Sequence, residues 1–190
     1  EHSYTFHSWK VNGQKWDFET GVIEGELTPF YSAALEAALS IPGAEVTVLS
    51  MGPEKSAQLL QELYALGVDR VALLCDRSLA GSDSLATARA LAAAIRYLGE
   101  FDGIFCGRRA MDAETGQIPG QLAAALRINV VTNVQSVDCS DGFLCQRRLE
   151  DGISTVRLFL AWFLSVNMHI PCAFPASWAD GGQKVCKCSC

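Results

Sequence analysis

The side chains best suited to chemistry lie in residues 101–120, Phe-Asp-Gly-Ile-Phe-Cys-Gly-Arg-Arg-Ala-Met-Asp-Ala-Glu-Thr-Gly-Gln-Ile-Pro-Gly. Phe101–Cys106 is a short apolar run that reads as a buried strand, and Gly107 breaks it. Arg108 and Arg109 follow in a loop, and Thr115 and Gly116 lead into a helical pattern. A helix entered in this way presents unpaired N–H groups and the positive end of its dipole, which together suit an anion. Two guanidinium groups add full charge and planar forks that match phosphate. Charged pairs are commonly just a solvated loop face, and Asp112 and Glu114 are placed to neutralise the arginines. From the residues alone this is a candidate nucleotide-phosphate loop.

Two further segments of similar character end strand-like runs: Ser50-Met51-Gly52-Pro53, and Cys75-Asp76 continuing to Ala80-Gly81-Ser82-Asp83. Any turn between a strand and a helix needs small and polar residues, and most bind nothing. Three on one rim of a parallel sheet, one with paired arginines, favour a binding site, because such sheets hold ligands beyond their carboxyl ends. Asp83 is either a helix cap or a ligand to a ribose or a phosphate-bound water. No Ser-His-Asp or Cys-His grouping is visible, nor a Walker A loop or a Gly-x-Gly-x-x-Gly fingerprint. His2, His7 and His169 form no ligand set, and Cys186, Cys188 and Cys190 lack the spacing of a zinc knuckle. This silence fits a protein whose cofactor carries the chemistry.

The elements that must position these loops alternate. Ser32 is the expected cap of a helix over 33–39, and Glu45–Ser50 reads as a strand. Glu54–Leu66 is helical, with Leu59, Leu60, Leu63 and Leu66 on one face and Gly67 as its stop. Arg70–Cys75 is the next strand. Ser82 or Asp83 caps a helix over 84–98 that should bury Leu85, Ala88, Leu91, Ala92 and Ile95. Phe101–Cys106 is the third strand, and Thr115–Leu126 the helix after it. From Asn129 the period changes. Val130–Val137, Phe143–Leu149 and Ser154–Leu160 are extended, with Asp141-Gly142 and Asp151-Gly152 as tight turns. Tyr4–Phe6 and Trp9–Val11 are candidates for an edge strand. The βαβα series predicts a parallel sheet with helices on both faces, followed by an antiparallel extension.

At 190 residues, 49% hydrophobic and 19% charged, the chain is expected to form one folded domain, with residues 1–16 and 175–190 irregular. A net charge of −6 without clustered Lys and Arg argues against nucleic acid. The most apolar run, Leu158–Val166, falls short of the roughly 20 residues a membrane span needs. The start, Glu1-His2-Ser3-Tyr4, carries no initiator Met and does not read as a secretory signal, so the start is read as processed or truncated. The expected compartment is the cytoplasm, or the mitochondrial matrix in a eukaryote, and a disulfide framework is not expected. Cys75 and Cys106 end apolar runs and are expected to be buried free thiols.

Gly107-Arg108-Arg109-Ala110-Met111-Asp112 through Gly116-Gln117 also resembles the signature loop of the electron-transfer flavoprotein β subunit. Three more stretches resemble the same family in the same order. They are Thr28-Pro29-Phe30 with 34–39, Val46–Pro53, and Ala65–Arg70 continuing to Ala80–Thr87. The resemblance runs from about Asp17 to about Gly152 and implies a three-layer α/β/α, mostly parallel, Rossmann-like fold. It implies an electron carrier rather than an enzyme with its own acid–base site. Such a subunit pairs with a larger, FAD-carrying α subunit, accepts electrons from flavin dehydrogenases and passes them to a quinone reductase. By motif, the nucleotide contacts fall on Thr28, Pro29, Phe30, Met51, Asp83, Ser84, Thr87, Gly107, Arg108, Arg109, Ala110, Met111, Asp112, Thr115, Gly116, Gln117 and Ile118. Simple members hold AMP in this subunit, while bifurcating and nitrogen-fixation-type members hold a second FAD. Gly116-Gln117-Ile118 and Asp83-Ser84-Leu85-Ala86-Thr87 resemble the latter, so FAD is expected, with AMP as the alternative. Residues 1–16 have no counterpart of the family's apolar opening strand, and residues past about Pro175 do not resemble it. The readings left open beside this one are a non-redox AMP- or ATP-binding module like the universal stress proteins, and a non-functional fragment of the family.

Overall fold

A computed structural model of the chain describes residues 29–108, 116–139, 143–159, 161–166 and 188–189. The described chain begins with helix α1 (Pro29–Leu39). Ser32 therefore sits inside this helix rather than capping it. Pro29 opens the helix instead, at a position where its fixed φ suits and its missing N–H costs nothing. Strand β1 (Thr47–Met51) follows, every residue buried. Helix α2 (Ser56–Glu62) tightens into a 3₁₀ turn over Leu63–Leu66, and Gly67 closes it at φ 95°. That left-handed conformation is the one glycine adopts without cost, so the stop read from sequence is borne out.

Strand β2 (Arg70–Leu74) lies at the sheet edge and is only partly covered. Cys75, one residue beyond it, is therefore exposed, contrary to the buried thiol expected, whereas Cys106 is buried as expected. Helix α3 (Ser84–Leu98) packs Ala88, Leu91, Ala92 and Ile95 inward together with Thr87, but Leu85 is 43% exposed. Leu85 stands in the first turn of the helix, outside the buried stripe that begins at Thr87 and Ala88.

Strand β3 (Gly103–Gly107) is buried throughout. Helix α4 (Ile118–Leu126) starts later than the helix expected from Thr115, and Arg127 ends it at φ 61°. Gly116 at φ 61° breaks the helical path before Gln117. Strand β4 (Asn129–Asp138) carries a bulge at Asn133, which also has φ 61°. Strands β5 (Phe143–Arg148) and β6 (Ile153–Leu158) extend it antiparallel, and Leu149 N–H closes the connecting turn on Gly152 C=O at 2.8 Å.

The chain then returns to the middle of the sheet. Strand β7 (Trp162–Val166) is fully buried and lies parallel between β3 and β4. Its run is apolar but for the buried Ser165, which is the pattern of a central parallel strand. Strand β8 (Cys188–Ser189) also enters the centre, so part of the tail expected to be irregular is ordered. The reason is long-range: β1 and β3 do not pair with each other among the described residues, and Cys188–Ser189 meets backbone groups of both. The full order is β2-β1-β8-β3-β7-β4-β5-β6.

Two apolar cores lie on opposite faces of this sheet. One joins α1 and α2 to Phe105, Leu164 and Val166, and the other joins α3 and α4 to Leu49, Met51, Ile104 and Phe163. The α/β architecture read from the sequence is thus present: a mostly parallel sheet, helices on both faces, and an antiparallel part at one side. The edge strand expected within residues 1–16 and the turn at Asp141-Gly142 lie outside the described residues.

Candidate functional site

Parallel strands that all run one way deliver their carboxyl ends to one rim, and the helices that follow them start there. On that rim Gly52 N–H donates to Leu74 C=O at 3.0 Å, tying the end of β1 to the end of β2. Arg108 N–H donates to Val166 C=O at 3.0 Å, which fixes the point where the chain leaves β3. The arginine-bearing loop thus departs from the sheet between β3 and β7, at a fully buried Gly107.

The starts of α3 and α4 meet at the same place. Asp83 is extended and caps α3, its Oδ1 accepting from Ala86 N–H at 2.7 Å. Ser84 Oγ then donates to Gln117 Oε1 across the gap at 3.1 Å. Gln121 Nε2 approaches the same oxygen at 3.5 Å from the next turn of α4. Gln117 is therefore the residue that ties the first turn of one helix to the first turn of the other. The N–H groups of Ser84 and Leu85 stand in the part of a helix where no intrahelical acceptor exists, so this junction suits an anion. Ser82 Oγ holds the preceding turn by donating to Leu79 C=O at 2.7 Å.

Of the residues singled out from sequence, Asp83, Ser84, Gln117 and Ile118 come together at this junction, with Thr87 buried one turn further along α3. Gly107 and Arg108 leave the adjacent strand. Met51 is placed differently, being 2% exposed and packed into the core between the sheet and α3 and α4. What Met51 can offer a ligand is its backbone. Pro29 and Phe30 form the first turn of α1, while Thr28, Arg109, Ala110, Met111, Asp112 and Thr115 lie outside the described residues.

Three further polar groups belong to this end of the sheet, Ser50 from the Ser50–Pro53 segment and two that the sequence did not single out. Ser50 Oγ is fully buried without a hydrogen-bond partner at the end of β1. Gln121 Oε1 is likewise buried and unpartnered. Arg147 reaches Thr132 Oγ1 at 3.4 Å beside the β4 bulge, leaving its Nε buried without a partner. Buried polar atoms normally find partners, so these three mark places where a ligand or a further segment would be welcome. A serine ending an otherwise apolar strand was the one signal in the sequence for Ser50.

Asp76 caps the 3₁₀ turn Arg77–Leu79, and the hydrogen bonds it receives from Ser78 hold its carboxyl below the ordinary range. Burial pushes the thiols of Cys139 and Cys145 up, helped at Cys139 by Asp138 and opposed at Cys145 by Arg147. Among the described residues no group of three or more His, Cys, Asp or Glu could hold a metal ion. No described helix is long and apolar enough to cross a membrane.

Comparison with known proteins decides the family. The model of the electron transfer flavoprotein domain matches residues 15–176. The chain belongs to the electron transfer flavoprotein family. Within it, the chain is β-subunit- and FixA-like. It is 37% identical over 165 residues to the caffeyl-CoA reductase–Etf complex subunit CarD of Acetobacterium woodii, covering 82% of this chain and 63% of that one. Against the electron transfer flavoprotein subunit beta of Thermoanaerobacterium thermosaccharolyticum it is 41% identical over 136 residues, covering 70% and 52%. Against protein FixA of Bradyrhizobium diazoefficiens it is 37% identical over 151 residues, covering 74% and 52%. The chain thus spans only about half to under two thirds of the length of these relatives.

Proposed function

We propose that this chain is the nucleotide-binding β subunit of an electron transfer flavoprotein and holds FAD, with AMP as the alternative ligand. Its partner on this reading is an α subunit carrying its own FAD, with flavin dehydrogenases as electron donors and a quinone reductase as acceptor. The observation that carries the reading is the Ser84–Gln117 hydrogen bond, which brings two helix N-termini to one point on the carboxyl rim. The names of the relatives support it, one being a subunit of a reductase–Etf complex.

The residues present fit a dinucleotide. The N–H groups of Ser84 and Leu85 and the dipole of α3 favour a phosphate, and Ser84 Oγ can rotate from Gln117 toward one. Gly107 and Gly116 keep the approach to β3 and α4 free of side chains, and Arg108 and Arg109 balance phosphate charge. Ser50 Oγ and the backbone of Met51 offer polar contacts at the end of β1. Bound flavin would supply the redox chemistry, while the protein would bind, orient and shield it. Thr28, Ala110, Met111, Asp112 and Thr115 complete the proposed set by motif.

Calorimetric titration of the protein with FAD, AMP and ATP in turn tests this. The proposal expects FAD or AMP to bind, and FAD more tightly. Binding of ATP alone by a homodimer would favour a nucleotide sensor of the same fold. Binding of none of them, with or without the α subunit, would sink both readings.

A further inference from the structure

One face of the sheet carries a cation with too few partners. Cross-strand register sets Gly107, Val166, Val134 and Arg147 in a single row across β3, β7, β4 and β5. Val166 and Val134 belong to the core on the α1 side of the sheet, as does Cys145, two residues before Arg147. Arg147 therefore lies on that face, opposite to α3 and α4 and away from the Ser84–Gln117 junction. Three strand spacings of about 4.8 Å put its backbone roughly 14 Å from Gly107 along the row.

Arg147 is only partly buried, yet its Nε is shut off from water without a partner. Among the described residues its guanidinium makes one hydrogen bond, a long one of 3.4 Å from a terminal nitrogen to Thr132 Oγ1, and no ion pair. Its charge is felt at Cys145, where it opposes the upward push of burial on the thiol. A second, independent feature adjoins it. Thr132 and Asn133 together face Ser165 of β7, and the register with β5 slips again between Val134 and Ser136. Asn133 stands at φ 61°, in the left-handed region. A bulge leaves backbone N–H groups outside the ladder, and a left-handed residue turns neighbouring N–H groups toward one side, a geometry that receives anions. Thr132 Oγ1 accepts from Arg147, and its own O–H can donate onward.

We propose that Arg147, the Thr132 hydroxyl and the N–H groups of the β4 bulge form a binding site for an oxyanion, a phosphate or a carboxylate, at the carboxyl end of β7. The guanidinium fork matches either group with two parallel hydrogen bonds. Its charge is shared over all three nitrogens, so an anion on the terminal pair also offsets the buried Nε. Without an anion the half-buried charge destabilises the fold. The site is distinct from the helix-start junction proposed for the nucleotide, and it stands whether or not that reading does.

The test follows the arginine Nε–Hε resonances of the whole chain by NMR during titration with sodium phosphate or sodium acetate at constant ionic strength. The expected result is a saturable shift of the Arg147 resonance, with a Kd on the order of 1–10 mM for a small charge-assisted site. Arg147→Lys, which keeps the charge and loses the fork, should weaken binding about tenfold. Arg147→Met should abolish it and leave the urea midpoint unchanged or higher. Titration with FAD separates the sources of the oxyanion. A shift on adding FAD that competes with phosphate makes the nucleotide's own phosphate the ligand, and phosphate binding undisturbed by FAD makes it a free anion; either supports the site. No shift with any of the three, a shift that sodium chloride reproduces, or binding that Arg147→Met leaves intact would overturn the proposal. So would a lower urea midpoint in Arg147→Met, because the guanidinium would then serve the fold alone.

Discussion

Gly103 is the position where the packing can be tested most sharply. A Cβ added there would lie 2.4 Å from two ring carbons of Trp162. Carbon atoms in contact prefer about 3.5–4.0 Å, so the ring or the strand must retreat by roughly 1 Å. Neither can do so freely. Trp162 is 5% exposed, and its backbone is locked opposite Gly103 in the β3–β7 ladder. Its ring meets Phe105 edge-on at 5.1 Å and Phe143 at 5.2 Å. Gly103→Ala is therefore an overpacking change with no easy relief, expected to cost about 1–3 kcal/mol. For a protein of this size that lowers Tm by roughly 2–12 °C. Calorimetry and urea unfolding of the two proteins would measure it, and a second substitution, Trp162→Phe, should recover part of the loss by removing the clashing ring. A Gly103→Ala protein with unchanged Tm and urea midpoint would refute the reasoning.

Other expectations follow from single contacts. Asp83→Ala removes the α3 cap and should cost about 0.5–2 kcal/mol in urea unfolding, with Asp83→Asn recovering most of it. Gln117→Leu removes the link between the two helix starts and should weaken nucleotide binding about 5–10-fold in a titration, if a hydrogen bond is worth about 1 kcal/mol. Cys75 should be labelled by a maleimide well before Cys106 and Cys145, because it alone of the three is exposed and Cys145 has its thiol pushed up by burial; mass spectrometry of digested protein reads the order. The carboxyl of Asp76 is held low, so its contribution to stability is present above the ordinary carboxylate range. That contribution is lost as the pH falls through the lowered folded value, and Asp76→Asn should flatten that acid-side portion of a stability–pH curve.

Much of this architecture is written in local patterns. The apolar runs at 46–50, 70–75 and 101–106 and the glycines at 67 and 107 announce strands and stops by short-range physics, and the structure follows them. The Asp83 cap was legible for the same reason, since an acid before a helical pattern has little else to bond. What was hidden depends on distant partners. Leu158–Val166 is apolar, but only pairing with β3 and β4 on both sides shows that Trp162–Val166 is a central strand. Cys75 looks like Cys106 in sequence, yet β2 stands at the edge and β3 in the middle, which exposes one thiol and buries the other. The seat of Cys188–Ser189 had no local signal, because it is set by open strands more than 80 positions away. At the rim, motif resemblance found Ser84 and Gln117, but their hydrogen bond spans 33 positions. The orphaned atoms of Ser50, Gln121 and Arg147 are properties of packing, visible only once the sheet is assembled.

The most direct test of the account is to purify the chain together with its α subunit, release the bound cofactors and count them. Two FAD molecules per heterodimer is the predicted result, one of them lost when Ser84 and Gln117 are both replaced by Ala. One FAD with one AMP would retain the electron-carrier role and replace the proposed ligand by its alternative. A heterodimer holding neither a flavin nor an adenine nucleotide in this chain would contradict the central claim.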